Sequence, residues 1–169
     1  MIRKQVKTVL NHPFPPVYDE NSRILILGSF PSVKSREQGF FYGHPQNRFW
    51  RVLAAVYRDE VPLTVPDRRA FLLRHGVALW DVLAACEIRG SADATIRAAA
   101  PNDLGPIQAG APIRAVFANG QTAGKLYRTY LEPLTGRPAL VLPSTSPANA
   151  AWTLERLIEA WQIIAAWRD

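Results

Sequence analysis

An α/β fold with a central four-stranded, mostly parallel sheet in a three-layer α/β/α sandwich is predicted from three observations. Short apolar runs end abruptly in Gly, Asp, Asn or Pro; segments of helical period lie between them; and 169 residues, 48% apolar and 20% charged, suit one core. The first run, residues 24–27 (ILIL) before Gly28, is too short for a helix and has no polar alternation, as expected of a strand buried on both faces. Residues 77–80 before Asp81, 113–118 before Asn119-Gly120, and 139–142 before Pro143-Ser144 repeat that grammar, giving four buried strands. Between them, Phe49, Trp50, Leu53, Ala54 and Tyr57 form a stripe of helical period. Residues 67–75 read as a short helix stopped by Gly76 and residues 121–131 as another. Leu154, Leu157, Ile158, Trp161, Ile164 and Ala165 mark a long C-terminal helix. Strand and helix alternate, which is the pattern of parallel strands joined by helical crossovers.

Residues 1–22 are expected to form an extended N-terminal lead-in that docks on a single domain spanning 23–169. The stretch 11–22 holds three prolines, ends in turn formers and carries no obvious chemistry. No repeat, low-complexity tract or linker is visible.

Composition narrows the function classes. No run approaches the roughly 18 apolar residues of a membrane span, and MIRKQVKTVL lacks the features of a signal peptide, so an intracellular, cytoplasmic protein is expected. The single cysteine, Cys86, cannot form an internal disulfide or supply a multi-cysteine metal site. It reads as a small buried residue in an Ala-rich stretch, and no metal or cofactor is expected. The net charge of +6 and pI near 9.9 come from sixteen Arg against four Lys, and guanidinium is the better fork for phosphate oxygens. Nucleic acid is therefore a reasonable partner, but many basic proteins bind nothing acidic, so charge raises the question without settling it. A monomer with no membrane partner is expected.

In open parallel sheets ligands sit beyond the carboxyl ends of the strands, here residues 28–35, Asp81, Asn119-Gly120 and 143–149. Residues 28–50 form a 23-residue stretch between a strand and a helix, rich in Gly, Ser, aromatic and amide groups. Phe30, Phe40, Phe41 and Tyr42 offer planar surfaces, His44 an acid or base, and Gln46 and Asn47 amides beside the next helix. That inventory suits a flat heterocycle and a positioned water. Neither GxGxxG nor GxxxxGK[ST] is present, which argues against a nucleotide-cofactor loop. Residues 142–149, LPSTSPAN, are a hydroxyl-rich turn entering the last helix, suited either to phosphate or to ordinary helix capping.

These segments together resemble the uracil-DNA glycosylase superfamily, closest to its DNA-deoxyinosine (hypoxanthine-DNA) glycosylase branch. The likeness runs from about Pro13 to Trp167 and rests on ILILGSFPSVKS at 24–35, YGHPQNRFW at 42–50, ALWDVL at 78–83, FANGQTA at 117–123 and LPSTSPANA at 142–150. In the uracil and mismatch-specific branches a water-activating Asp or Asn stands two residues after the first glycine, where this chain has Phe30. Their second motif often begins with His or Asn, where this chain has Leu142. Both differences argue against efficient uracil removal.

The resemblance implies a monofunctional DNA glycosylase that flips a deaminated base, chiefly hypoxanthine, out of DNA and directs water to C1′. It implies Asn47 as the catalytic residue, with His44 as a second group that protonates the purine, holds a phosphate or simply packs. Asn47 also reads as a residue that merely opens the following helix. Phe30 is a stacking candidate or a core phenylalanine; Asp81 accepts the N1–H of hypoxanthine or acts as a structural acid. Tyr42 and Asn119 complete the base site. Ser32, Ser144, Thr145 and Ser146 are expected on phosphates, with Asn149 or a neighbour inserted toward the vacated stack. Lys34 and Lys125, the only lysines beyond the first ten residues, match no position for an amine nucleophile, so a single-step hydrolase is expected. His12 and His75 receive no role. Two alternatives remain: a uracil/thymine mismatch glycosylase, and an inactive DNA-binding module of the same fold.

Overall fold

The computed structural model describes residues 8–88 and 97–167. Four parallel strands form the central sheet: β2 (Ile24–Gly28), β3 (Val77–Asp81), β6 (Ala115–Asn119) and β7 (Leu140–Leu142), in the order β3-β2-β6-β7. Every residue of β2 and β3 is buried. Because successive side chains of a strand point to opposite faces, unbroken burial means that both faces of the sheet are covered, which is the three-layer arrangement. β7 departs from the expectation of four buried strands: Leu140 and Val141 are nearly half exposed at this edge of the sheet, whereas at the other edge β3 is paired by the lead-in through Val17 and Leu79.

The helices are α1 (Val33–Gln38), α2 (Phe49–Tyr57), α3 (Val65–Arg74), α4 (Gly105–Gly110), α5 (Gln121–Tyr130), α6 (Glu132–Thr135) and α7 (Leu154–Trp161), which continues as a 3-10 turn over Gln162–Trp167. Seven of the nine residues of α2 are buried, more than the predicted stripe requires, and the helix packs against α7 and the 3-10 turn that follows it. α3 starts at Thr64, whose hydroxyl accepts the Asp67 N–H at 3.2 Å, and α7 at Thr153, which accepts the Arg156 N–H at 3.2 Å. α5 packs on β6 and β7, and α3 on β3.

A second sheet was not legible in the sequence. β1 (Thr8–Asn11), β4 (Leu83–Ile88) and β5 (Arg97–Pro101) form an antiparallel sheet in the order β1-β4-β5. Five of the eleven residues of β4 and β5 are alanine, which carries weak strand preference, so pairing rather than propensity holds them extended. Cys86 lies in β4, fully buried. The lead-in is drawn into this sheet through β1. It then crosses β3, where Val17 and Leu79 exchange backbone hydrogen bonds of 3.0 and 2.9 Å and Phe14 and Val17 are buried. Asn102, buried after β5, donates its side-chain N–H to the carbonyls of Asp81 and Leu83 at 2.8 and 3.1 Å and so joins the end of β3 to the second sheet.

Candidate functional site

The carboxyl ends of β2, β3 and β6 and the loop after β7 surround a cavity of about 360 Å3. Its lining includes Gly28, Phe30, Tyr42, Asn47, Asp81 and Asn119, with Ser32, Ser144, Thr145 and Ser146 around them. Nine of the eleven residues singled out from the sequence thus meet in one place, from four separate strand ends. His44 and Asn149 do not line it.

Asn47 reaches the cavity through a turn. The His44 carbonyl accepts the Asn47 N–H at 2.9 Å around Pro45 and Gln46, with proline in the position its fixed φ favours. The His44 ring serves that same turn, since its Nδ1 accepts the Gln46 N–H at 3.1 Å. This explains why His44, expected as a second catalytic group, lies outside the cavity: it shapes the loop that delivers Asn47.

The orientation of the Asn47 amide follows from which groups can only donate. The Phe49 backbone N–H points at one side-chain atom of Asn47 at 3.0 Å, so that atom is Oδ1. The Thr145 backbone N–H points at Asn119 at 3.1 Å, which fixes the Asn119 Oδ1, and the Asn119 Nδ2 then donates to the Thr145 hydroxyl at 3.0 Å. The Thr145 hydroxyl must therefore spend its own proton on the Asn47 Oδ1, 2.8 Å away. Both lone pairs of Oδ1 are occupied, leaving Asn47 only its Nδ2 hydrogens to offer the cavity.

The same chain sorts the hydroxyls. Thr145, expected on phosphate, is fully buried and its proton is committed, so it acts as the pin between β6 and Asn47. Ser144 and Ser146 each accept one backbone N–H, from Ser146 at 3.1 Å and Ala148 at 3.2 Å, and keep an O–H to donate. Ser32 caps α1: its hydroxyl accepts the Ser35 N–H at 3.2 Å and donates to the Ser35 Oγ at 3.1 Å. Asn119 is likewise held by Thr145 while lining the cavity. Asn149 donates to the Ser144 carbonyl at 3.0 Å, which ties its side chain inside the loop and leaves Pro147 and Ala148 exposed at the tip.

Two residues brace this loop that sequence reasoning did not select. The Arg48 guanidinium donates to the carbonyls of Ser146 and Asn149 at 3.0 and 3.1 Å and to that of Trp152. Trp161 of α7 donates its indole N–H to the Pro143 carbonyl at 2.9 Å. Arg48 stands within YGHPQNRFW, just before α2, and Trp161 within the apolar stripe of α7, but nothing in either pattern signals a hydrogen bond to the distant loop. At Gly120, with φ +93°, an added Cβ would lie 3.0 Å from that of Ser144, so glycine lets β6 turn beneath the loop.

The base of the cavity is formed by Asp81, buried at the end of β3. Its Oδ2 lies 2.8 Å from the His12 Nε2. Its Oδ1 lies over Gly28, where a Cβ would come within 2.4 Å of that oxygen. Gly28 is thus the space in which the carboxylate sits. Phe30, 8% exposed, and Tyr42 supply aromatic surface; Tyr42 has φ +52° and stacks on Phe49 with ring centroids 4.1 Å apart. A non-glycine residue in this region is strained, and here the stack holds it. Leu142 is buried and places no polar group in the cavity. Among the described residues no cluster of His, Cys, Asp and Glu has the makings of a metal site, and no helix is long and apolar enough to cross a membrane.

Comparison with known proteins agrees with this arrangement. The chain matches the Uracil DNA glycosylase superfamily over residues 15–169. It is 34% identical over 158 residues to a hypoxanthine DNA glycosylase of Methanosarcina acetivorans, covering 92% of this chain and 98% of that protein. A hypoxanthine DNA glycosylase of Methanosarcina barkeri is 36% identical over 138 residues, covering 80% and 86%. The solution NMR structure of a Methanosarcina acetivorans protein, 33% identical, superposes with a TM-score of 0.79 over 94% of this chain and 97% of that one.

Proposed function

The chain belongs to the uracil-DNA glycosylase superfamily, and from that premise we propose that it is a DNA glycosylase that hydrolyses the N-glycosidic bond of deoxyinosine and releases hypoxanthine. The observation that carries the reading is that one cavity, in the size range of small-ligand clefts, presents the Asp81 carboxylate and the Asn47 amide among aromatic rings. A base within duplex DNA is out of reach of such a cavity, so the nucleotide must be extruded into it. Phe30 and Tyr42 then flank the purine, and the Asp81 Oδ1, which only accepts, pairs with N1–H. Adenine carries a lone pair at N1 and is repelled by the same oxygen.

Bond cleavage develops positive charge on the sugar and negative charge on the purine. With Oδ1 occupied, Asn47 cannot act as a base. Its Nδ2–H can hold the oxygen of a water by one lone pair while the other faces C1′. The electron pair of the glycosidic bond leaves with the purine, the proton lost by the water passes to solvent, and the purine anion takes up a proton from solvent, giving hypoxanthine and an abasic sugar. Positioning of this kind supplies rate by removing the entropic cost of bringing water to C1′. The free hydroxyls of Ser144 and Ser146 suit the phosphates flanking the extruded nucleotide. The single-domain organisation and monomeric state expected above belong to the same reading.

The experiment that tests this is base release from labelled duplexes carrying one deoxyinosine, uracil or xanthine, with and without EDTA. Release of hypoxanthine in EDTA, with uracil far behind, is the expected result; binding without release of any base would leave only a DNA-binding module. Affinity should fall steeply as salt rises, since a chain of net charge +6 releases counterions on binding phosphates. Gly28→Ala should lower hypoxanthine release by about 10²-fold, as expected for a misplacement of about 1 Å. The new methyl would displace the Asp81 Oδ1. Unchanged release would mean that the oxygen over Gly28 does not read the base.

A further inference from the structure

We propose that His12, from the N-terminal lead-in, is a positioning residue for base discrimination: its hydrogen bond to one oxygen of Asp81 fixes the carboxyl plane with Oδ1 turned to the base. The inference rests on the proposed function and assigns a role to a residue 69 positions away from Asp81 in the chain.

His12 is delivered by two backbone pairings. β1 runs antiparallel to β4, ending with Asn11 opposite Ala85, and the His12 N–H donates to the Ala84 carbonyl at 2.7 Å. The side chain then enters an aromatic cage, with ring centroids 4.4 Å from Trp80, 4.7 Å from Phe14, 5.9 Å from Phe30 and 6.0 Å from Phe41. The His12 and Asp81 side chains are only 3% and 5% exposed. Within that cage the short polar contact is the 2.8 Å bond from Nε2 to the Asp81 Oδ2, while the Phe14 N–H approaches Nδ1 at 3.5 Å. A carboxylate oxygen only accepts, so Nε2 carries the proton and Nδ1 the lone pair that meets Phe14.

This bond fixes the carboxyl plane, so that Oδ2 is spent behind the site and Oδ1, which only accepts, lies over Gly28. Without that donor the carboxyl plane is no longer held, and the match to N1–H that separates inosine from adenosine is lost. His12 touches no reacting atom; it acts through Asp81.

The test compares wild type, His12→Phe and His12→Gln. Phenylalanine keeps a ring in the cage and removes the donor; glutamine places its amide N–H near the former Nε2. Affinity is measured for duplexes bearing 2′-fluoro-deoxyinosine or 2′-fluoro-deoxyadenosine, whose glycosidic bonds resist cleavage, so reading is separated from chemistry. The expected result is that His12→Phe reduces the inosine-to-adenosine affinity ratio by at least about tenfold, the scale of one buried hydrogen bond, and that His12→Gln restores most of it. Equal losses on both duplexes, an unchanged ratio in His12→Phe, or a His12→Gln protein that melts like wild type yet fails to restore the ratio would each overturn the inference. Failure of wild type to release hypoxanthine would instead overturn the proposed function, and the two failures are distinguishable.

Discussion

Asn47→Ala is expected to lower hypoxanthine release by at least about 10²-fold while duplex affinity stays within a few-fold of wild type. The substitution removes the Nδ2 hydrogens that face the cavity and, with Oδ1, the acceptor shared by the Phe49 N–H and the Thr145 hydroxyl. The second loss resembles removal of a helix cap, costing about 1 kcal/mol, and should appear as a modest fall in melting temperature. Asn47→Asp separates the two contributions. Its carboxylate still accepts from Phe49 and Thr145 but offers no N–H, so stability should be kept and release still lost. Single-turnover base release and thermal melting on the same preparations are the measurements. Retained release in Asn47→Asp would show that the donor is not needed; loss of affinity together with release in Asn47→Ala would make the residue structural.

Asp81→Asn should reverse what the base of the cavity asks for. His12 donates from Nε2, so the carboxamide turns its oxygen toward His12 and its NH2 toward the cavity. That NH2 opposes the N1–H of hypoxanthine, donor against donor, and complements the N1 of adenine. Hypoxanthine release is expected to fall by about 10²-fold or more, because a site built around one hydrogen bond rejects a partner that leaves its polar group unpaired. The ratio of adenine to hypoxanthine released should rise. Unchanged selectivity, measured on duplexes differing only in the target base, would remove Asp81 from base reading.

Both expectations depend on groups that differ in how readily they could be read from the chain. The resemblance pointed to Asn47 and Asp81, since each sits at a strand end or helix entrance within a dense local motif. Which atoms they present was not legible. The direction of the Asn47 amide is set by a backbone donor two residues away and by Thr145, 98 residues away, and Thr145 is oriented in turn by Asn119. His44 shows the converse: its sequence position suited chemistry, but its Nδ1 accepts from Gln46 within the proline turn and the residue does not line the cavity.

The sequence by itself pointed to the central layer of this protein, because short unbroken apolar runs ending in turn formers suit strands of a covered sheet, although β7 proved half exposed at its edge. It likewise pointed to their carboxyl ends, where the cavity lies. Tertiary structure alone decided the second sheet, whose alanine-rich strands β4 and β5 carry no period or propensity to announce them, and with it the route by which β1 brings His12 to Asp81. It alone decided the bracing of the 143–152 loop by Arg48 and Trp161 as well. Local patterns record what a segment must bury against its neighbours, whereas the partner of a buried polar atom is chosen by whichever donor or acceptor the completed fold brings within about 3 Å.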